Sequence, residues 1–388
     1  MVTTRANNYG HNGHIDDLVL SAPTPETLSD RRRRWSHLLH SQHYQPVISD
    51  VLHEELPKYE NSSVINVTDR VSLMRECALV LASAPSVFAA AVSGNLVRQM
   101  QSDAELQREY AIIQERAHDQ PSIYIHLLAD ERGVAPTPNQ YLVIRDLVLD
   151  YLREGHGSEH AWHLDNITPP TVTRVASTQG HRKYVHTTNR SSRRVETLRR
   201  LCQGIQNRWI ETPASQRDTP FHFPPGECGY SKDSHTRLAQ HRAHQSSNYV
   251  MNLVEDICTY LHRLGQFKQH FRMHQFIIYL IFRPSQAAIA EMFCSCLLQV
   301  WVDNGGGFNA YPAGRSVATA RRVSMIEWDG HDRWARQSSP VVENMRMLKD
   351  RADEWQKALE WEEDAFESSE TTEDSTDGIS EDDYPVID

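Results

Sequence analysis

Residues 227–241 read Glu227-Cys228-Gly229-Tyr230-Ser231-Lys232-Asp233-Ser234-His235-Thr236-Arg237-Leu238-Ala239-Gln240-His241. A glycine and a small hydroxyl residue, Gly229 and Ser231, stand at the end of a strand, and the run beyond them reads as a helix. Arg237 comes eight residues after Gly229, and His241 four residues later. Positions i and i+4 share a helix face, so the guanidinium and the imidazole project side by side. Fifty residues further on, Glu291 stands in a helix-forming run, and Asn309 follows the triple glycine 305–307. An arginine, a histidine, a carboxylate and an amide suit the binding of a scissile phosphate and a divalent metal.

Gly229-Tyr230-Ser231, Arg237-Leu238 and His241 together resemble the second half of the GIY-YIG nuclease signature, in which a strand ending in Y-I-G precedes a helix bearing R-L-x-x-H. The run His274–Phe282 resembles the third strand of that fold, the helix around Glu291 the one that presents its metal-binding glutamate, and Asn309 its closing asparagine. The resemblance spans about residues 221–316. It implies an α/β fold, a small antiparallel sheet flanked by helices, and an endonuclease acting on DNA phosphodiesters. On that pattern Arg237 contacts the phosphate and Glu291 holds Mg²⁺ or Mn²⁺. His241 or a tyrosine, Tyr230 or Tyr124, handles the proton of the attacking water, with Gly229 and Asn309 in support. The sequence departs from the family at two points. Glu227 stands where a tyrosine is expected, and no G-I-Y lies just upstream, because residues 191–210 read as helix. Ser122-Ile123-Tyr124, opening the strand-like run Ile123–Ala129, is the substitute. Two other readings stay open. One is a catalytically inactive nuclease fold that binds nucleic acid or protein. The other is an interaction protein working through its C-terminal helix and acidic tail.

Composition sets the frame around this core. The chain has 388 residues, 39% of them hydrophobic, and a net charge of −11. That charge misleads as an average. Residues 360–388 hold 13 acidic side chains and no basic one, and removing them from −11 leaves +2 for residues 1–359. The body is therefore close to neutral, compatible with nucleic-acid binding without the strong basic footprint of a dedicated binder. Six scattered cysteines lack the spacing of a disulfide or zinc framework, and no leader-like segment opens the chain, so a nuclear or cytoplasmic protein is expected, with no membrane partner.

Along the chain, residues 1–28 are polar and expected to be disordered. Residues 29–118 read as a helical region, with patterns over Thr68–Ala82, Val87–Gln101 and Asp103–Ala117. Its basic run Arg31–Arg34 suits either a solvated helix face or a phosphate patch. The α/β domain is expected over 119–335, with a His/Arg-rich insertion at 155–200. Arg182, Lys183, Arg190, Arg193, Arg194, Arg199 and Arg200 form the best basic patch, suited to phosphate contacts that position a nucleic-acid backbone without reading its sequence. Asn248–Leu264 carries a strong apolar stripe at helical spacing, and Ser285–Trp301 another. Glu291 falls opposite the second stripe, on a face free to meet solvent or ligand. Residues 336–362 form an amphipathic helix with a heptad-like stripe over 341–359, which either docks on its own domain or serves self-association or a protein partner.

Residues 363–388 are an acidic disordered tail. The thirteen carboxylates of residues 360–388, without counter-charge, must stay solvated or lie against something basic, and the cluster 182–200 is the nearest. Deleting residues 360–388 is therefore expected to tighten DNA binding at about 50 mM salt, with the gain shrinking at about 200 mM as screening sets in. Equal affinities of the two chains in a low-salt titration would reduce the tail to a solubilising appendage.

Overall fold

The computed structural model describes residues 26–154, 157–245, 248–312 and 317–353. The expected disordered N-terminus, apart from its last residues, and the acidic tail lie outside this range. So does the distal part of the stripe, with Trp355 and Leu359.

Helices α1 (Leu28–His40), α2 (Tyr44–Glu55), α3 (Arg70–Ala82), α4 (Ser86–Val92), α5 (Leu96–Ser102) and α6 (Ala104–Arg116) come first. Side-chain caps fix the start of several of them: Thr27 accepts from the Asp30 amide, Asp69 from Ser72, and Asp103 from Glu105 and Leu106. The single helix expected over 87–101 is two. Gly94 takes a left-handed φ of +79° against the carbonyl of His222, where a Cβ would lie 2.7 Å away, and that turn splits α4 from α5. The basic run forms a paired helix face on which Arg32 is buried and Arg33 and Arg34 stay exposed. Arg31 pairs with Glu54, Arg33 with Asp30 and Arg34 with Glu26 and Asp50, while buried Arg32 donates to the carbonyls of Ala91 and Val92.

Strand β1 (Ser122–Ala129) follows, then α7 (Pro138–Tyr151), the short α8 (Ala161–Leu164) and α9 (Arg174–Thr178), and α10 (Ser192–Glu211). The chain then forms β2 (Gly226–Ser231), α11 (Ser234–Arg242), α12 (Tyr249–Arg263), β3 (Arg272–Leu280), α13 (Gln286–Leu297) and α14 (Met325–Ser338). The three strands make one antiparallel sheet in the order β2-β1-β3. The sequence-distant strand β1 is thus central, and residues 130–225 are an excursion between two hydrogen-bonded neighbours. In the β1–β2 ladder Tyr124 lies opposite Gly229 and His126 opposite Glu227.

Two apolar clusters flank the sheet. One joins α2, α3, α4, α6 and α13 to Ile123, Ile125 and Leu127 of β1; the other joins α7, α10 and α12 to Leu128. The first N-terminal helices are therefore part of the same core as the sheet. Helix α13 is buried along its whole length, so Glu291 is not on the open surface that the stripe suggested. Helices α2 and α3 pack against α13, while Glu291 reaches the wall of a cavity. Residues 341–353 are helical, and Val341, Met345 and Leu348 pack on the first cluster, with the Asn344 amide donating to the Ala82 carbonyl at 2.9 Å. The described part of the stripe docks on its own domain.

Helix α10 positions the segment that carries Asn309. Gly204 lets it touch residues 302–305, since a Cβ there would lie 2.0 Å from the Val302 carbonyl and 2.7 Å from the Gly305 amide. Both obstacles are backbone and cannot swing aside. Gly204→Ala is expected to destabilise the fold by roughly 3 kcal/mol, read as a shift in the urea midpoint. A midpoint within error of wild type would show that this contact is loose.

Candidate active site

The edge strand β2 places the site. Its outer edge is held by Asn309, whose side-chain oxygen accepts from the Cys228 amide at 3.1 Å while its nitrogen donates to the Cys228 carbonyl at 2.8 Å. A bridge between Gly226 and Gly307 extends this clamp. Asn309 thus satisfies backbone groups that an edge strand would otherwise leave open.

Beyond this edge lies a cavity of about 1280 Å³, lined by Tyr124, Glu227, Gly229, Tyr230, Arg237, Glu291 and Asn309 among others. Four elements converge there. Tyr124 comes from β1, and Gly229 opposite it makes room: a Cβ at 229 would lie 2.5 Å from the tyrosine hydroxyl. Asp233 caps α11 by accepting from the Thr236 amide, which starts the helix directly after the strand and turns Arg237 and His241 towards Tyr124. Arg237 Nε donates to the Tyr124 hydroxyl at 3.4 Å, and His241 Nε2 lies 3.3 Å from the same oxygen. Glu291 reaches the cavity from α13 and is 8% exposed.

Of the residues singled out in the sequence, Tyr124, Gly229, Tyr230, Arg237, Glu291 and Asn309 all line this cavity, and buried His241 stands immediately behind Tyr124. Electrostatics differ among them. Burial, reinforced by the Glu227 charge, holds the Tyr124 phenol well above its usual range. Burial pushes His241 down to about 3, against the pull of Glu227, so its imidazole is neutral at physiological pH. Burial also raises the Tyr230 phenol.

His126 was not singled out in the sequence. It lies two residues beyond Tyr124 on the same face of β1, and its Nδ1 donates to Glu227 Oε2 at 2.6 Å. Burial alone would raise the Glu227 carboxyl, but the His126 hydrogen bond and nearby positive groups outweigh it and hold the carboxylate below its usual range. Comparison with known proteins finds no matching family model, no matching curated protein and no matching solved structure.

The basic patch divides. Arg182 is 1% exposed and donates to the carbonyls of Tyr151, Ser177, His181 and Arg153, so it is a structural tie and not a surface phosphate contact. Lys183 turns inward to Asp256, Arg190 caps the Leu152 carbonyl, and Arg200 pairs with Asp303. Arg194 donates to the Tyr184 and His186 carbonyls and sits over the Tyr249 ring. Arg193 and Arg199 are exposed on α10 and line a second cavity. Arg193 also lies 4.2 Å over the ring of Tyr311, which lines the main cavity, so the exposed basic stripe runs to the mouth of the site.

No single described helix is long and apolar enough to cross a membrane; α3 and α4 would pass only together, bent by 106°, and both are packed in the core. All six cysteines are free and buried.

Proposed function

We propose that this chain is a divergent metal-dependent endonuclease of the GIY-YIG type acting on DNA. The observation that carries the reading is convergence: Tyr124, Arg237 and Glu291, spread over three elements and more than 160 residues, meet at one cavity beside an edge strand, with His241 directly behind Tyr124. Ordered spacing along a chain costs nothing to produce by chance, but convergence in space does not follow from spacing alone.

In this reading the Arg237 guanidinium donates to a non-bridging oxygen of the scissile phosphate and offsets the charge that builds there in the transition state. Phosphate would replace the long contact between Arg237 and Tyr124, leaving the tyrosine hydroxyl directed at the attacking water. The Tyr124 hydroxyl can pass its proton to the neutral His241 Nε2 as it takes one from that water. Glu291 gives the carboxylate that would hold Mg²⁺ or Mn²⁺. A divalent cation bound there supplies Lewis-acid stabilisation of the phosphate and leaving oxygen. Asn309 serves by keeping β2 in place. Arg193 and Arg199, both exposed on α10, are the side chains of the patch placed to follow a DNA backbone towards the mouth.

The test is plasmid nicking by the full chain with Mg²⁺ or Mn²⁺, with a chelator control. Absence of metal-dependent turnover would remove this reading. One observation favours a second one: Glu227, bonded to His126, occupies the place of a family tyrosine. An inactive nuclease fold that binds DNA would give retention on DNA without cleavage.

A further inference from the structure

We infer that His126, Glu227 and His241 form a second metal site, one that takes a zinc-class transition ion rather than Mg²⁺. One ligand atom from each of the three lies within 4.8 Å of those of the other two. His126 is 0%, Glu227 6% and His241 1% exposed, so the donors are held by packing and not by solvent-swept rotamers. The two imidazole centroids are 4.5 Å apart, and both rings belong to rigid elements, β1 and α11.

The hydrogen-bond inventory points to a missing occupant. His241 Nδ1 and His126 Nε2 are both buried without a hydrogen-bond partner, and an ion bound between the rings takes up the first of them. The only firm bond in the group is the 2.6 Å contact of His126 Nδ1 with the Glu227 carboxylate. A divalent ion can displace the shared proton of that contact, binding the imidazole nitrogen and a carboxylate oxygen. An imidazole nitrogen of His241 completes three protein ligands, while the displaced hydrogen moves to Nε2 of the His126 ring, which stays a neutral ligand. Two imidazoles and one carboxylate are the donor set that suits zinc, whereas Mg²⁺ prefers oxygen alone. Glu227 lines the main cavity, giving the ion an entry route and an open fourth position for water. Charge also permits it, because five carboxylates and three Lys or Arg side chains line that cavity.

Occupancy has a consequence for the proposed nuclease. With its Nδ1 on the ion, His241 must carry its hydrogen on Nε2, and then it can only donate to Tyr124. The lone pair needed to accept the tyrosine proton is lost. Zinc should therefore bind tightly and oppose Mg²⁺-dependent cleavage. The site itself does not depend on the nuclease reading.

The experiment is metal analysis of the full-length protein after equilibration with Zn²⁺ at low micromolar free concentration. Wild type should retain one equivalent, and the His126→Gln and His241→Gln variants should bind at least about tenfold more weakly. Thermal denaturation in the same buffers checks folding, and Zn²⁺ should raise the melting temperature of wild type and of Glu291→Gln but much less that of the histidine variants. Glu291→Gln should keep its zinc while losing any Mg²⁺-dependent cleavage, which separates failure of this site from failure of the nuclease reading. X-ray absorption of the zinc-loaded wild type should show imidazole and oxygen ligands, and it stands even if a variant does not fold. No retained zinc in wild type, full retention by folded His126→Gln, or a first shell of sulfur or oxygen only would overturn the inference. Paired surface histidines such as His118 and His235, stacked at 3.7 Å, would be the source in the second case.

Discussion

Replacing Glu291 with glutamine is expected to lower Mg²⁺-dependent nicking by about 10³-fold or more while DNA affinity stays level or rises slightly. The substitution keeps volume and hydrogen bonding in a wholly buried helix, so the fold should tolerate it. It removes the one charge on α13 that reaches the cavity, and with it the attraction for a hard cation. Loss of that negative charge also relieves repulsion of the phosphate, which explains the predicted sign of the affinity change. The measurement pairs single-turnover nicking with a binding titration in chelator. Cleavage within a few fold of wild type would take Glu291 out of the mechanism.

Arg237→Ala should produce the second-largest loss, about 10²- to 10³-fold in rate. Its signature differs from that of Glu291→Gln, because the guanidinium also binds the ground-state phosphate, so affinity falls with rate. Arg237→Lys should recover little. Lysine lacks the planar fork, and its ammonium would have to sit where Arg237 Nε now reaches the Tyr124 hydroxyl. Single-turnover rates at saturating and limiting enzyme separate the two effects. A lysine variant close to wild type would show that only a point charge is needed at this place.

Much of this site was legible because it rests on local rules. The spacing of Arg237 and His241 needs only a helix, and Asp233 guarantees one by capping it. The strand expected over His274–Phe282, from an apolar run bounded by Pro284, is found at Arg272–Leu280, and the helix expected over Asn248–Leu264 is found at Tyr249–Arg263. Tyr124 was reachable through the tripeptide Ser122-Ile123-Tyr124, though nothing local brings it beside Gly229. Once that pairing is known, the partner of Glu227 follows, since an antiparallel ladder pairs positions of constant summed number and the next pair on the same face is His126 with Glu227. The signal was present but conditional on register. Periodicity puts Glu291 on a face free to meet solvent or ligand, and the residue lines the cavity without being on the open surface. A helix moment records one apolar face, and α13 has neighbours all round, including α2 and α3 from the far end of the chain. Arg182 misled because charge in a sequence says nothing about the carbonyls it will meet, and this one meets four.

The excursion of residues 130–225 between β1 and β2 bears on how the molecule comes into being. During synthesis β1 emerges with neither of its ladder partners, because β2 and β3 both lie downstream. Its eight residues are all buried in the finished sheet, so until residue 231 is made they form an unpaired, aggregation-prone edge on both sides. Helices α3, α4 and α6 are complete by then and can shelter one face of β1, and α7 can follow on the other. The cavity, which needs β2, α11 and α13, is therefore the last part to assemble. Slow closure of so long a loop makes folding rate, more than final stability, the property most exposed to mutation in the excursion.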